Sequence, residues 1–287
     1  MSNGGGGSHT AVQEEREKAM AESDEMPGEV DFTTPNVARM YDYYLGGKDN
    51  YPPDREAARL VLGAAPDVPL AALENREFLK RAMRFLAREQ GIGQFVDIGP
   101  GLPTQGNVHQ LAHQHDPGAH VVYVDNDAVV LAHARSLLHG VPGVTIIPGD
   151  LREPEPTLAD PELRALIDFF QPVGLCMTLV LHFLPPDDDP YGVVARFRDA
   201  LCPGSYLVLS HVTGDGRETG TLTDIGDVYQ NANAPLIMRT RDQVTAFFNG
   251  LELIEPGVVF LSQWRPTGEY FAQGGTQWGY CGVGKKP

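Results

Sequence analysis

The sequence has no run of lysines or arginines, and its 22 Lys+Arg stand against 38 Asp+Glu, a formal charge of -16. So acidic a surface repels DNA, RNA and anionic lipid, which argues against non-specific nucleic-acid binding. It also has no membrane segment. The most apolar stretch, residues 169–184, is broken by Gln171, Pro172 and His182 and is shorter than the roughly 20 residues a spanning helix needs. The N-terminus lacks the basic-then-apolar order of a secretory signal. Cysteine is scarce: Cys176, Cys202 and Cys281 are odd in number, widely spaced and form no C-x-x-C pair. These absences point to a reduced cytoplasmic protein with small buried thiols, without a zinc or redox motif.

What is present is an ordinary globular composition, 42% apolar and 21% charged over 287 residues, long enough for one α/β domain with an appendage. Residues 1–31 read as a disordered acidic tail, because a glycine run and a cluster of acids bury too little surface to offset their ordering entropy. Residues 32–91 read as a helical cap. Its first helix starts near Thr33-Thr34-Pro35-Asn36 with a hydroxyl cap and ends at Gly46-Gly47; the others span about Asp54–Leu62 and Leu70–Glu89. From residue 92 to 287 strands alternate with helices, which implies right-handed crossovers and a parallel sheet covered on both faces. Strands are expected at Gln94–Ile98, Val121–Val124, Val144–Ile147, Val173–Leu181 and Tyr206–His211. Helices are expected at about Asn107–His115, Ala128–Leu138, Pro161–Phe170 and Val193–Leu201. Thr240 has capping-box spacing to Gln243 before a short apolar helix. Leu251–Ile254, continuing into Val258–Leu261, and Gln277–Val283 then read as a closing antiparallel hairpin.

Three strand ends carry the chemistry. After the first strand, Asp97-Ile98-Gly99-Pro100-Gly101-Leu102-Pro103-Thr104 offers glycines for a tight turn and close backbone approach to a ligand. Position 104 is Thr, so the phosphate-binding G-x-G-x-x-G form is incomplete, and the acid before the first glycine suits a cationic amino group instead. Asp125 ends the second strand, where a carboxylate accepts both hydroxyls of a ribose; capping is the alternative, and for the neighbouring Asp127 it is the favoured one. Gly149-Asp150-Leu151 ends the third strand and pairs an acid for an exocyclic amine with an apolar cover for a ring. Read in order, the three ends suit an amino acid, a ribose and an adenine.

These residues resemble class I S-adenosylmethionine-dependent methyltransferases. More narrowly, the chain resembles an actinobacterial methyltransferase family first catalogued as a domain of unknown function. The narrow likeness rests on Thr34 to Tyr51, with its Tyr-Leu-Gly-Gly-Lys-Asp-Asn core, on Asp97 to Thr104, on Tyr123 to Asp127, and on Val180 to Phe183. It implies a Rossmann-like, seven-stranded, mostly parallel sheet with an antiparallel last strand and an N-terminal helical cap. It also implies S-adenosylmethionine as cofactor, with Asp97, Gly99 and Gly101 near its methionine part, Asp125 on its ribose and Asp150 with Leu151 on its adenine. Pro100, Thr104, Asn126, Met177, Thr178 and Tyr43 are further candidates for the same site. The usual third glycine is Pro103 here. The acceptor is expected to be a small molecule with an O- or N-nucleophile, and the protein a monomer or homodimer without nucleic-acid or membrane partners.

The reacting centre should lie at the fourth strand end, Met177 to His182. It carries no Asp/Asn-Pro-Pro-Tyr motif, which disfavours methylation of a nucleobase amine. His182 is the candidate catalytic base, with a bond to backbone as the other reading; His211 is a weaker candidate. Tyr41, Tyr43 and Tyr44 suit an aromatic lid over a sulfonium, or packing. Lys48 and Arg39 suit a carboxylate contact or simple exposed helix-end charge. His109 and His113 are four apart but lack H-E-x-x-H, so they read as surface histidines, and Asp187-Asp188-Asp189 as a helix cap. Two rival functions stay open: a non-catalytic S-adenosylmethionine-binding regulator, and a nicotinamide-dependent reductase.

Overall fold

The computed structural model describes residues 31–103, 106–266 and 275–287. Residues 1–30 of the acidic tail and Thr104 therefore lie outside the described residues. From Phe32 to Pro287 the chain forms one compact unit. None of its described helices is long and apolar enough to cross a membrane.

Three helices open that unit. Helix α1 (Val37–Tyr44) is capped by Asn36, whose Oδ1 accepts from the N–H groups of Ala38 (2.9 Å) and Arg39 (3.2 Å). The amide takes the place expected of a Thr hydroxyl, because Asn36 alone sits one residue before the first helical φ/ψ pair. Helix α2 (Pro52–Ala64) begins with two prolines, whose missing N–H costs nothing in a first turn. Helix α3 (Val68–Met83) continues into a π-helical stretch at Arg84–Glu89, so the long helix expected to reach Glu89 changes its winding on the way.

Strands β1 (Gln94–Ile98), β2 (His120–Asp125), β3 (Val144–Pro148), β4 (Gly174–Thr178) and β5 (Tyr206–Val212) pair in parallel in the order β3-β2-β1-β4-β5. Sequence order reverses between β1 and β4, which opens a crevice at their carboxyl ends. Strand β8 (Gly279–Lys285) adds antiparallel to β5, and β6 (Glu252–Leu253) and β7 (Val259–Phe260) pair antiparallel with β8. The sheet thus has eight strands rather than seven. The turn through Pro256 and Gly257 (φ +82°) splits what reads in the sequence as one strand into two short pieces. Every residue of β1 is buried, as expected of a parallel strand covered on both faces. Each large aliphatic side chain so buried contributes about 1.5–3 kcal/mol.

Helices α4 (Val108–His113), α5 (Ala128–Leu138), α7 (Pro161–Leu166) and α8 (Pro190–Ala200) match expected helices, with α4 and α7 shorter than expected. Helix α10 (Arg241–Thr245) has the expected Thr240–Gln243 capping box. Helices α6 (Pro154–Ala159) and α9 (Thr219–Gln230) were not evident from the sequence. Threonines and glycines dilute the apolar period of α9, which packs on α2 and walls the site.

Candidate active site

A cavity of about 520 Å³ lies at the crevice between β1 and β4. Its floor is the β1 loop. Gly99 (φ +66°) and Gly101 (φ +67°) hold the left-handed conformation, and a Cβ on Gly99 would stand 2.3 Å from Val180 Cγ2. Only glycine lets this loop pass so close under the β4 end. Beside it, Asp125 Oδ2 accepts from the Gly101 N–H (3.2 Å) and Oδ1 from the Asp127 N–H (2.9 Å). Burial pushes the Asp125 carboxyl up to about 6, against the pull of those N–H donors. Asp127 caps α5 through the N–H groups of Val129 and Val130, as its position predicts. Its other oxygen accepts from Asn36 Nδ2 at 2.6 Å.

At the third strand end, Asp150 forms a two-point pair with Arg152 (2.9 and 2.6 Å), which holds its carboxyl below the usual range. Asn126 Nδ2 reaches Asp150 Oδ2 at 3.4 Å. Gly99, Pro100, Gly101, Asp125, Asn126, Asp150, Leu151, Thr178 and His182 thus meet on one cavity, whereas Asp97, Met177 and Tyr43 do not line it. Met177 points into the sheet core and is fully buried. Asp97 is buried beneath the floor beside its register partners Tyr123 and Cys176, with Oδ1 unbonded. Burial raises its carboxyl to about 7, with Arg76 acting in the opposite direction.

The β4 end bends earlier than its apolar run suggests. Leu179 has φ +50°, and its N–H points to both the carbonyl (3.1 Å) and the hydroxyl (3.0 Å) of Ser210. A polar chain continues from there. The Ser210 hydroxyl donates to Asn75 Oδ1 (2.7 Å), Asn75 Nδ2 donates to the Tyr41 hydroxyl (3.2 Å), and Tyr41 donates to the Ala72 carbonyl (3.2 Å). The chain then makes a short 3₁₀ turn at Leu181–Phe183. There His182 is 4% exposed and lines the cavity, and its Nδ1 has no hydrogen-bond partner. Burial, followed by the nearby His211 and Arg239, holds His182 well below the ordinary histidine range. His211 serves structure instead: Nε2 faces Arg239 Nη1 at 2.8 Å and Nδ1 faces the Val212 carbonyl at 2.7 Å.

Several expected positions have other work. Arg39 is buried in an ion pair with Asp54 (2.9 Å), so it is not a surface charge, and the carboxylate it meets is the protein's own. Lys48 is exposed, and Asp189 caps α8. His109 is half-buried against the Tyr123 hydroxyl (2.8 Å) rather than on the surface. Among the described residues no cluster of His, Cys, Asp or Glu is arranged to hold a metal. Tyr41 and Tyr44 do reach the cavity. Sequence reasoning missed Asn75, Ile225, Tyr229 and Trp278, which also line it; residues scattered over α3, α9 and the segment before β8 carry no motif.

A family model described as S-adenosyl methyltransferase matches residues 23–287. The chain belongs to that family. It is an S-adenosylmethionine-dependent methyltransferase, with S-adenosylmethionine as its cofactor. Among solved structures it is similar to a methyltransferase-family protein from Thermobifida fusca, 40% identical with a TM-score of 0.84, covering 89% of this chain and 96% of that one. It is also similar to a protein of the family catalogued as domain of unknown function 574 from Streptomyces avermitilis, 37% identical with a TM-score of 0.86, covering 90% of this chain and 100% of that one. Among curated proteins, a carboxy-S-adenosyl-L-methionine synthase from Pseudomonas aeruginosa is 26% identical over 58% of this chain and 70% of its own length. The site fits the cofactor on its own geometry. The cavity lies in the size range of small-ligand sites, a left-handed glycine loop floors it, and a buried carboxylate stands at the β2 end.

Proposed function

We propose that the chain methylates an oxygen or nitrogen of a small molecule inside this cavity. The observation that carries the reading is the single chamber shared by the Asp125 end of the sheet and by His182, whose buried Nδ1 lacks a partner. Bound S-adenosylmethionine supplies an electrophilic methyl group. Asp125 receives the ribose hydroxyls, Asp150 and Leu151 hold the adenine, and the Gly99–Gly101 loop passes under the amino-acid tail. Asp97 acts from below, as a buried negative charge favoured once an ammonium arrives above it. The curated relatives, named for a carboxylated S-adenosylmethionine, support an adenosylmethionine site.

His182 orients the acceptor and takes its proton at a ring nitrogen. Its lowered basicity keeps the imidazole neutral and able to accept. That suffices, because the acceptor's proton becomes strongly acidic only as its lone pair is committed to the methyl group. Helices α1 and α3 with α9 exclude water from the chamber. The charge of -16 supports a small molecule over a nucleic acid, and the three free thiols are in keeping with a reduced cytoplasmic setting. The test is incubation with methyl-labelled S-adenosylmethionine and a fractionated metabolite extract. Label moving into a small organic product, with S-adenosylhomocysteine released in equal amount, is the expected result. Cofactor binding without any label transfer would leave a regulator in place of an enzyme.

A further inference from the structure

We infer that the acceptor is an uncharged, ring-shaped molecule held at one polar point, a hydroxyl or N–H facing His182. This inference rests on the methyl-transfer reading and narrows its substrate. Every residue that α1, α2 and α9 send to the cavity is uncharged: Val37, Ala38, Tyr41, Tyr44, Val61, Ile225 and Tyr229. The charged lining residues stand elsewhere. Asp125, Asp127, Asp150 and Arg152 follow β2 and β3, Asp188 follows β4, and Arg76 is on α3.

Most polar atoms of the helical wall are already engaged. Tyr41 and Asn75 belong to the chain running to Ser210. The Tyr44 and Tyr229 hydroxyls face each other at 3.4 Å, and burial raises the pKa of both, which keeps them neutral. Asn233 Oδ1 is taken by the Val37 N–H at 2.9 Å. His182 stands at the edge of this wall, with an Nδ1 that has no hydrogen bond and a ring that touches Phe183 (centroids 4.2 Å). Phe183 in turn lies 6.4 Å from the Tyr229 ring. Flat aromatic walls favour a flat partner through offset or edge-on ring contacts. An ionised acceptor held against α1, α2 and α9 would meet no counter-charge from those helices, a heavy desolvation cost.

Calorimetry on the full chain saturated with S-adenosylhomocysteine tests this with 2-naphthol and 2-naphthoate, which share a ring system and differ in charge. 2-Naphthol is expected to bind at least about tenfold more tightly, a difference of about 1.4 kcal/mol. Equal or tighter binding of 2-naphthoate, or no binding of 2-naphthol to the loaded protein, would overturn the inference. Failure of S-adenosylhomocysteine itself to bind would strike the methyl-transfer reading instead, so the two failures are distinct. Ile225→Trp, which fills the chamber, should abolish 2-naphthol binding and keep S-adenosylhomocysteine affinity within about twofold. If that variant does not fold, Val61→Phe serves the same purpose from the opposite helix. Undiminished 2-naphthol binding by a folded filling variant places the probe elsewhere and overturns the inference.

Discussion

Asn36 Nδ2 donates to Asp127 Oδ2 at 2.6 Å, so the residue that caps α1 grips the residue that caps α5. The backbone N–H of Asn36 also donates to Asp54 Oδ1 at 2.8 Å, the same carboxylate that pairs with Arg39. The N-terminal helices are thereby fastened to the β2 end, where the cofactor is expected.

Asn36→Ala removes both the cap and this fastening. It should lower unfolding free energy by about 1–2 kcal/mol, read from urea denaturation. An unchanged midpoint and slope would show that α1 is held by its apolar contacts alone.

Asp125→Ala should weaken S-adenosylhomocysteine binding by about 1.5–3 kcal/mol, the loss of a hydrogen-bonded buried charge. Because burial lifts the wild-type carboxyl to about 6, acidification below that value protonates the acceptor of the ribose hydroxyls. Affinity should therefore fall more between pH 7.5 and pH 5 in the wild type than in the variant, where Asp97 still titrates in that window. Titration calorimetry at the two pH values decides this.

Asp97 carries the opposite consequence for stability. Its folded value of about 7 lies above its ordinary value of 3.8, so the neutral carboxyl is favoured by folding. Its contribution is complete below about pH 4 and is lost as pH rises through 7. Asp97→Asn should thus raise the melting temperature of the cofactor-free protein at pH 8, with the gain vanishing near pH 4. A gain of equal size at both pH values would contradict a titrating Asp97.

Gly99→Ala sets a methyl group against Val180 and forces a left-handed φ on an L side chain. A loss of at least about 1–3 kcal/mol is expected, together with loss of S-adenosylhomocysteine binding. A stable variant that still binds would remove the loop from the site.

His182→Phe should reduce kcat by about 10²-fold or more while leaving S-adenosylhomocysteine affinity nearly intact. Because burial and Arg239 hold the wild-type imidazole well below the ordinary histidine range, kcat at saturating cofactor should show no inflection near pH 6.5. An inflection there, lost in the variant, would mean that His182 is charged in the resting enzyme.

The sheet was legible because each parallel strand is rich in apolar residues, and the carboxylates at Asp125 and Asp150 stand where the second and third of these segments end. The bend at Leu179 was not, since Val173 to Leu181 is apolar apart from Gly174 and Thr178 and the Leu179 N–H is held from outside by Ser210. Met177 was misplaced for the same reason: one residue of register decides whether a side chain faces the crevice or the core. The helical wall was illegible because Tyr229 meets Tyr44 of α1 only after the chain has closed, and α9 has too weak an apolar period to announce itself.

Gly47 is glycine because the Asp42 carboxylate folds back over it, to within 1.9 Å of where a Cβ would stand, and accepts from Asn50 Nδ2 and the Asp49 N–H. The most distinctive stretch of the sequence is thus a scaffold knot, and none of residues 45–60 borders the chamber. Sorting relatives by that signature groups them by ancestry and architecture. The proposed acceptor site makes positions 61, 225 and 229 the ones to compare when sorting them by what they methylate.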